Sequence, residues 1–412
     1  MSGPRGPFPS GGSPALDATE PRPHSGRERP ADRGGQQPAA ATTLLPEREA
    51  LVAATIDLEP TGRVPIVYQA EAFSPRFMGY SIADYALKPD VAVASTLGAM
   101  DRLGGFDAIN SVPGGHIHVG LAALWLTRML VPGRELPEDS IWQADEVEDM
   151  TAADYDVVLE GGWGPYVQSL LPRILDIDEL ARSDAWLEAN FGATVARFRD
   201  HGYVPMAAAV IATPFEALCG ARSIHELYRD LYRCPDLVAR VMDRMLPEIV
   251  DDAVAAAQAC ELPCVWVGGW RSASGMLSEP VWQRFVLPHL RTIVDALVEA
   301  GFLPILHFDH DWTRDLKHLR GLPARRCILQ LDGMTDIRAA KRTLGDHMAL
   351  MGDVPATMLA KGTPDDVRAY CRALIRDVGE RGFFLAAGCD APVDARPENM
   401  LAMVEAGLEY SG

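Results

Sequence analysis

Polar residues follow several apolar runs of the sequence, where a short strand would end and its last side chains would be free to react. His307 and Asp309 stand two residues apart at the end of one such run, and Cys389 ends another. The period of two in a strand places the first two side chains on one face. His, Asp and Cys are ordinary zinc ligands, and a catalytic zinc needs three protein ligands and one open position. These residues therefore predict a catalytic zinc site.

Alternatives to this ligand set stay open. Cys389 can be a small buried hydrophobe and His307 a hydrogen-bonded core histidine. His310 can take the place of Asp309 if the strand twists. His116 and His118, which follow a Gly-rich stretch, form a rival or auxiliary ligand pair. A zinc at any of these positions would activate a bound thiol or water, or polarise an ether oxygen as a Lewis acid.

Two further strand ends carry acidic residues, Asp332 and Asp353. An aspartate at such a junction is explained by a helix cap or a turn at least as well as by catalysis. We predict catalytic roles for Asp309, His310 and Asp353.

Substrate contacts are predicted next to a fifth strand end, at Trp270 and Arg271. A guanidinium presents a fork of donors that suits a carboxylate or a phosphate, although a surface ion pair is the commoner role. Trp163, Trp270 and Trp312 can line a pocket for an aromatic or tetrapyrrole ligand, or they can pack in the core.

Strand-like runs alternate with amphipathic helical stretches over most of the chain, which predicts an α/β fold. A parallel (β/α)8 barrel collects reactive groups at the carboxyl ends of its strands. The predicted strands are 64–69, 106–112, 204–212, 263–270, 302–309, 327–332, 347–353 and 383–389.

Helix signals fit this arrangement. A cap and an early proline at Ser278-Glu279-Pro280 predict one helix that ends at Gly301. Thr363 opens another helix, and a final helix is predicted over 398–410. Residues 121–198 are predicted to be inserted helices.

The first 40 residues contain 8 Pro and 7 Gly and almost no large apolar side chain. Such a segment buries too little surface to offset its chain entropy. We therefore predict a disordered tail over 1–46 and a barrel domain over 47–412.

Composition excludes several classes of protein. The net charge of −19 argues against nucleic-acid and anionic-membrane partners. The chain contains no apolar run long enough to span a bilayer and no apolar core typical of a secretory signal. Seven cysteines without a CxxC pair favour reduced thiols and a cytoplasmic location. P-loop and GxSxG motifs are absent, which disfavours the commonest NTPases and serine hydrolases.

Several motifs, in this order and at this spacing, make the chain resemble the uroporphyrinogen decarboxylase superfamily, which includes the cobalamin-dependent methyltransferases. The motifs are Thr213-Pro214-Phe215-Glu216, residues 275–280, the strand ending at His307, residues 351–354 with 362–364, and residues 388–392 with 397–399. The resemblance covers most of residues 47–412 and implies a distorted (β/α)8 barrel.

Within that superfamily, the decarboxylases of haem synthesis grip substrate carboxylates with an arginine-rich MRQAGR segment and use no cofactor. The corresponding residues 64–80 contain a single basic residue, Arg76, which we predict to bind substrate. The methyltransferase branch holds zinc through a His-x-Cys pair and a later Gly-Cys motif. His307 and Cys389 match this pattern, and Asp309 replaces the middle cysteine.

The resemblance therefore implies a zinc-dependent methyltransferase that moves a methyl group between a small methylated substrate or thiol and a corrinoid protein. The corrinoid would arrive on a partner protein, because the sequence has no DxHxxG motif. A metal-free decarboxylase of tetrapyrroles or related carboxylates is the second hypothesis. A non-catalytic tetrapyrrole- or corrinoid-binding protein is the third.

Overall fold

Parallel strands form the wall of a barrel in the computed structural model, which describes residues 41–379 and 381–409. Within these ranges the strands are β1 (Val67–Tyr68), β2 (Ala108–Ser111), β3 (Arg128–Leu130), β4 (Gln143–Asp145), β5 (Val204–Ala212), β6 (Cys264–Gly269), β7 (Leu303–Phe308), β8 (Ile328–Leu331), β9 (Ala349–Val354) and β10 (Phe383–Ala387). Eight of them pair in the order β1-β2-β5-β6-β7-β8-β9-β10. Each of the eight lies within or overlaps a predicted strand.

The first and last strands of this sheet meet and close the barrel. The backbone N–H of Leu385 donates to the carbonyl oxygen of Pro65 at 2.9 Å, and Ile66 and Leu385 form a parallel bridge. Closure leaves neither edge of the sheet unpaired. The predicted (β/α)8 barrel is confirmed.

Helices cover the outside of the barrel and connect its strands. They are α1 (Ala41–Ile56), α2 (Phe73–Met78), α3 (Ile82–Leu87), α4 (Pro89–Leu103), α5 (Ile117–Trp125), α6 (Asp154–Gly161), α7 (Trp163–Ile174), α8 (Ile177–Asp200), α9 (Pro214–Arg222), α10 (Ile224–Arg233), α11 (Pro235–Cys260), α12 (Glu279–Phe285), α13 (Leu287–Glu299), α14 (Leu316–Leu319), α15 (Ile337–Leu344), α16 (Ala356–Lys361), α17 (Pro364–Val378) and α18 (Pro397–Glu409). Among the described residues, no helix is both long enough and apolar enough to cross a membrane.

Two apolar clusters hold the fold together. The larger one fills the space between the strands and the surrounding helices. The smaller one lies inside the barrel and contains residues of all eight barrel strands, for example Ile305 of β7 and Ile328 of β8, together with Val52 and Ile56 of α1. Because inward side chains recur every second residue, His307 follows Ile305 into the barrel interior.

Most predicted helix boundaries agree with the structure. Thr363 caps α17 in a capping box with Asp366, as its sequence signature indicates. The single helix predicted over 279–300 is instead two helices, α12 and α13, which meet at Val286. Pro288 explains the break, since proline has no N–H to bond to the preceding turn and its ring crowds that turn.

The segment inserted before β5 contains helices α5 to α8, as predicted, and also the antiparallel pair β3 and β4, which was not predicted. Residues 1–40 of the predicted tail lie outside the described residues. Helix α1 begins at Ala41, inside the predicted tail. The domain boundary at residue 46 stays a prediction.

Candidate active site

Strand β7 and the loop after β10 bring His307, Asp309 and Cys389 together at the carboxyl end of the barrel. One ligand atom from each lies within 4.8 Å of the others. Nε2 of His307 is 3.3 Å from Oδ1 of Asp309. His307 is 3% exposed and the other two side chains are half-buried. The structure thus groups all three predicted metal ligands.

The barrel wall fixes the His307 ring. In the sheet, His307 pairs with Gly268 on β6 and with Gln330 on β8. Trp266, which points inward two residues before Gly268, stacks on the ring with 5.0 Å between centroids and 26° between planes. The Nε2 edge faces Asp309, while Nδ1 is buried and has no hydrogen-bond partner among the described residues.

A glycine positions Cys389. A Cβ atom on Gly388 would lie 2.6 Å from the carbonyl oxygen of Asp332, closer than real contacts allow. The missing side chain therefore lets the loop after β10 pass against the end of β8. The carboxylate of Asp390 then accepts hydrogen bonds from the backbone N–H groups of Glu71 and Ala72, which ties this loop to the one after β1.

The three groups perturb one another electrostatically. Burial opposes protonation of His307, but hydrogen bonds and charge from Asp309 and Cys389 raise its pKa well above the usual value. Burial raises the pKa of the Cys389 thiol, and the neighbouring imidazole offsets part of that rise. Burial also opposes ionisation of Asp309, yet His307 holds the pKa of this carboxyl below its ordinary value.

The donor set suits a divalent metal ion. It offers one imidazole, one carboxylate and one thiol, and three protein ligands with an open position are typical of catalytic zinc. The attraction that favours a proton on His307 also favours a metal cation between the three groups, because both place positive charge beside Asp309 and Cys389.

Two predicted catalytic residues make other contacts. Asp353 is 3% exposed and accepts a hydrogen bond from the Tyr370 hydroxyl of α17 at 2.7 Å. His310 is exposed in a left-handed backbone conformation, and its N–H donates to Oδ2 of Asp332 at 2.9 Å. Asp332 also accepts from the backbone N–H of Met334 at 2.8 Å, so it organises the turn after β8, in agreement with the alternative interpretation of this residue as a turn residue.

Arg271 lies in a closed environment beside Trp270. It is 0% exposed, and its guanidinium carbon lies 4.0 Å from the centroid of the Trp270 ring. Its Nε donates to Oε1 of Glu146 at 3.0 Å, and one terminal nitrogen is 2.9 Å from the same oxygen. Neither terminal nitrogen makes a hydrogen bond in the described part of the chain. By contrast, Arg76 is exposed on α2, and its side chain makes no hydrogen bond or ion pair with any described residue.

The three predicted pocket tryptophans divide into two groups. Trp163 and Trp312 are core residues, which stack on Tyr166 and Phe308 respectively. Trp270 lies near the site, and Trp312 supports it from the core, because its Nε1–H donates to the Asp309 carbonyl oxygen at 2.7 Å.

Sequence reasoning missed Trp125 and Trp266. The Trp125 ring lies 6.5 Å from both Trp266 and Trp270. We call Trp125, Trp266 and Trp270 the tryptophan cluster. The inward period of β6 could have indicated Trp266, whereas no sequence signal indicates Trp125.

A cluster of buried amides lies beside His307, and sequence reasoning also missed it. Asn110 donates to Gln69 at 2.8 Å and to Gln330 at 3.0 Å, and Gln330 also donates to Gln69. Each residue stands in or just after a strand, at an inward position. The amides bond to one another where the barrel interior changes from apolar to polar, although Oδ1 of Asn110 has no partner among the described residues.

The rival histidine pair has a different environment. Nδ1 of His118 is 3.1 Å from the Ala86 carbonyl, and Nε2 is 3.2 Å from Glu179. His116 and His118 belong to no group of three possible metal ligands in residues 41–379 and 381–409. A second such group, Glu279, Asp315 and His318, is involved in ion pairs with Arg314 and Lys317.

Comparisons with known proteins agree with this architecture. The sequence profile described as "Uroporphyrinogen decarboxylase (URO-D)" matches residues 146–410, more than half of the chain. A protein named uroporphyrinogen decarboxylase from Syntrophotalea carbinolica is 28% identical over 47% of this chain and 56% of its own length. One of the same name from Danio rerio is 26% identical over 68% of this chain and 79% of its own length.

Among solved structures, a methyltransferase from Methanosarcina mazei superposes with a TM-score of 0.66 and 15% identity. The superposition covers 89% of this chain and 99% of that one, and it shows a shared fold. Together with the profile match over the barrel, the sequence motifs lead to one conclusion: the chain belongs to the uroporphyrinogen decarboxylase (URO-D) family.

Proposed function

We propose that the chain is a zinc-dependent methyltransferase of the URO-D family, which moves a methyl group between a small methylated substrate or a thiol and a corrinoid protein. The observation that carries the proposal is the convergence of His307, Asp309 and Cys389 within 4.8 Å at the carboxyl end of the barrel. A cofactor-free decarboxylase has no need of an imidazole, a carboxylate and a thiol in this arrangement.

The donor set bears on the chemistry. With one thiolate and one carboxylate among its ligands, a bound zinc is a harder Lewis acid than one held by two thiolates, which suits polarising the oxygen of a methyl ether. Trp266 orients the His307 ring, and Gly388 positions Cys389. The tryptophan cluster would orient an apolar substrate and exclude water, and Arg271 would bind a polar group of it.

The proposed reaction needs a corrinoid-carrying partner protein and a reducing compartment. The corrinoid would come from a partner protein, since the 412 residues contain no DxHxxG motif. We assign the reaction to the cytoplasm because the seven cysteines are free thiols, and a thiol ligand such as Cys389 persists best in a reducing compartment.

A metal-free decarboxylase of tetrapyrroles or related carboxylates is the second candidate, favoured by the names of the curated relatives. A substrate with many carboxylates needs several cations at its pocket. Arg76, the only basic residue of the segment 64–80, is exposed on α2. The methyltransferase is therefore the stronger proposal.

Elemental analysis tests it. We expect about one zinc per chain in the purified protein and loss of that zinc in both His307→Ala and Cys389→Ala. Methyl transfer from methoxylated substrates to a corrinoid protein should follow the zinc content. Unchanged metal content in both variants would refute the site. Release of CO2 from uroporphyrinogen without zinc would establish the decarboxylase, and ligand binding without turnover would indicate a non-catalytic binding protein.

A further inference from the structure

We infer that Arg271 is a receptor for a substrate carboxylate, and that Glu146 occupies this receptor until the substrate displaces it. The inference rests on the proposed function for the methyl group and extends it by naming the substrate class. That class is the aromatic methyl ethers that carry a carboxylate.

The first argument is the incomplete pairing of a buried cation. The Arg271 side chain is 0% exposed, and both terminal nitrogens lack hydrogen bonds to the described residues. Buried donors are nearly always paired, and an unpaired charged donor costs more than a neutral one. Glu146 compensates this guanidinium with a single oxygen atom, whereas a carboxylate can engage an arginine with two.

The second argument is that the receptor is held rigid. The buried carboxylate of Glu216 accepts hydrogen bonds from the backbone N–H of Arg271 at 3.3 Å and of Ser272 at 2.7 Å. The Trp270 ring packs against the guanidinium face at 4.0 Å. The plane and edge of the guanidinium are therefore set before any ligand arrives, which lowers the entropic cost of binding.

The third argument is the character of Glu146. Its side chain is about one third exposed, whereas that of Arg271 is fully buried. It follows β4, in the segment that leads to α6. A ligand carboxylate can replace Glu146 without leaving the buried guanidinium unpaired, because the displaced side chain moves into water while the ligand takes over its charge. Glu146 already presents the chemical group that we assign to the ligand.

The acidic surroundings favour a single carboxylate over a phosphate. Glu146 and Glu216 both contact Arg271 or its backbone. Their negative charges would repel a dianion more strongly than a monoanion.

The position of the receptor relative to His307 indicates the shape of the substrate. Gly268 is the register partner of His307, and the chain turns after β6 to place Arg271 three residues later. The tryptophan cluster connects the two residues. Trp270 packs on the Arg271 guanidinium, Trp266 stacks on the His307 ring, and Trp125 lies 6.5 Å from both indoles. An aromatic ring with a carboxylate at one end and a methoxy group at the other fits such a space, because its faces and edges can pack against the indoles.

Binding of two matched probes tests the inference. 4-Methoxybenzoate carries the carboxylate, and methoxybenzene is the same ring without it. Isothermal titration of the full chain should detect 4-methoxybenzoate and show at least tenfold weaker binding of methoxybenzene. Arg271→Met should weaken binding of the acid about 10- to 100-fold. Glu146→Gln, which keeps the shape of the side chain, should tighten it about three- to fivefold.

The control is Arg284→Met, which removes an exposed arginine paired with Asp236 on the protein surface. It should leave both affinities unchanged. Glu146→Gln keeps the test decisive even if Arg271→Met does not fold. Equal affinity for the two probes, or weaker binding of the acid by Glu146→Gln, would overturn the inference.

Failure of the inference differs from failure of the proposed function. Selective binding of the acid by a protein that transfers no methyl group would retain the carboxylate receptor and refute the methyltransferase. Methyl transfer from 4-methoxybenzoate that is equally fast in the wild type and in Arg271→Met would retain the methyltransferase and refute the receptor.

Discussion

Trp266 stacks on His307 across the β6–β7 boundary, with ring centroids 5.0 Å apart and planes inclined by 26°. Both side chains point into the barrel, and the absence of a side chain on Gly268 makes room for the indole. A Cβ atom there would lie 2.0 Å from the Trp266 ring and 2.9 Å from the Trp125 ring. The candidate metal ligand is thus oriented by a neighbouring aromatic residue.

Replacing Trp266 with leucine should weaken zinc binding. The imidazole would lose the surface that sets its orientation, and loss of contacts that orient a ligand typically costs 10- to 100-fold in metal affinity. We expect about a tenfold loss, measured by competition with a chelator. Trp163→Leu is the control, because that indole packs in the core against Tyr166. Equal losses in the two variants would contradict a specific role for Trp266.

Gly388→Ala should both destabilise the fold and displace Cys389. The new methyl group would meet the Asp332 carbonyl at 2.6 Å, and such overpacking costs about 1–3 kcal/mol. Urea unfolding and zinc content measure the two effects. In the control Gly192→Ala, the methyl group would enter open space on helix α8 and should be neutral or slightly stabilising. A stable Gly388→Ala variant with full zinc would refute this role of the glycine.

Gln330→Leu should destabilise the barrel by about 1–3 kcal/mol, because it removes the acceptor of one Asn110 hydrogen bond and one of the two donors to Gln69. Chemical denaturation measures the change. The triple variant with Gln69, Asn110 and Gln330 all replaced by leucine should recover part of the loss, since no amide is then left unpaired. No loss in the single variant would show that water satisfies these groups.

Asp353 should make the free energy of unfolding fall as the pH rises. Burial, the main cause, raises the pKa of this carboxyl above its ordinary value, and the Tyr370 hydrogen bond offsets only part of the rise. The folded state therefore binds more protons than the unfolded state between the ordinary pKa near 3.8 and the raised pKa. Stability contributed by the protonated group is lost across that window.

Asp353→Asn removes this titration. Compared with wild type, the variant should gain stability at pH 7 relative to pH 4, as measured by urea unfolding at both values. Tyr370→Phe is the control, since it removes the hydrogen bond and leaves the buried carboxyl. If the difference between wild type and Asp353→Asn is the same at both pH values, burial does not raise this pKa.

The local sequence determined the strands and the groups at their ends. Side chains two residues apart in a strand lie on one face, so His307 and Asp309 lie together at the end of β7, and this spacing depends only on strand geometry. Local signals were weaker for helices. The cap and early proline at Ser278-Glu279-Pro280 predict one helix, but two helices follow, because Pro288 interrupts the helical hydrogen bonds.

Only the tertiary structure decided which of these groups meet. Cys389 is 80 residues from Asp309 in the sequence, and β8 and β9 separate their strands in the sheet. The two residues become neighbours because the sheet curves into a closed barrel whose connecting loops converge at one end. Trp125 and Glu146 reach the site from the segment inserted before β5, and no period or turn signal records such a contact. Packing between distant segments depends on the shape of the whole fold, whereas strand periodicity depends on neighbouring residues alone.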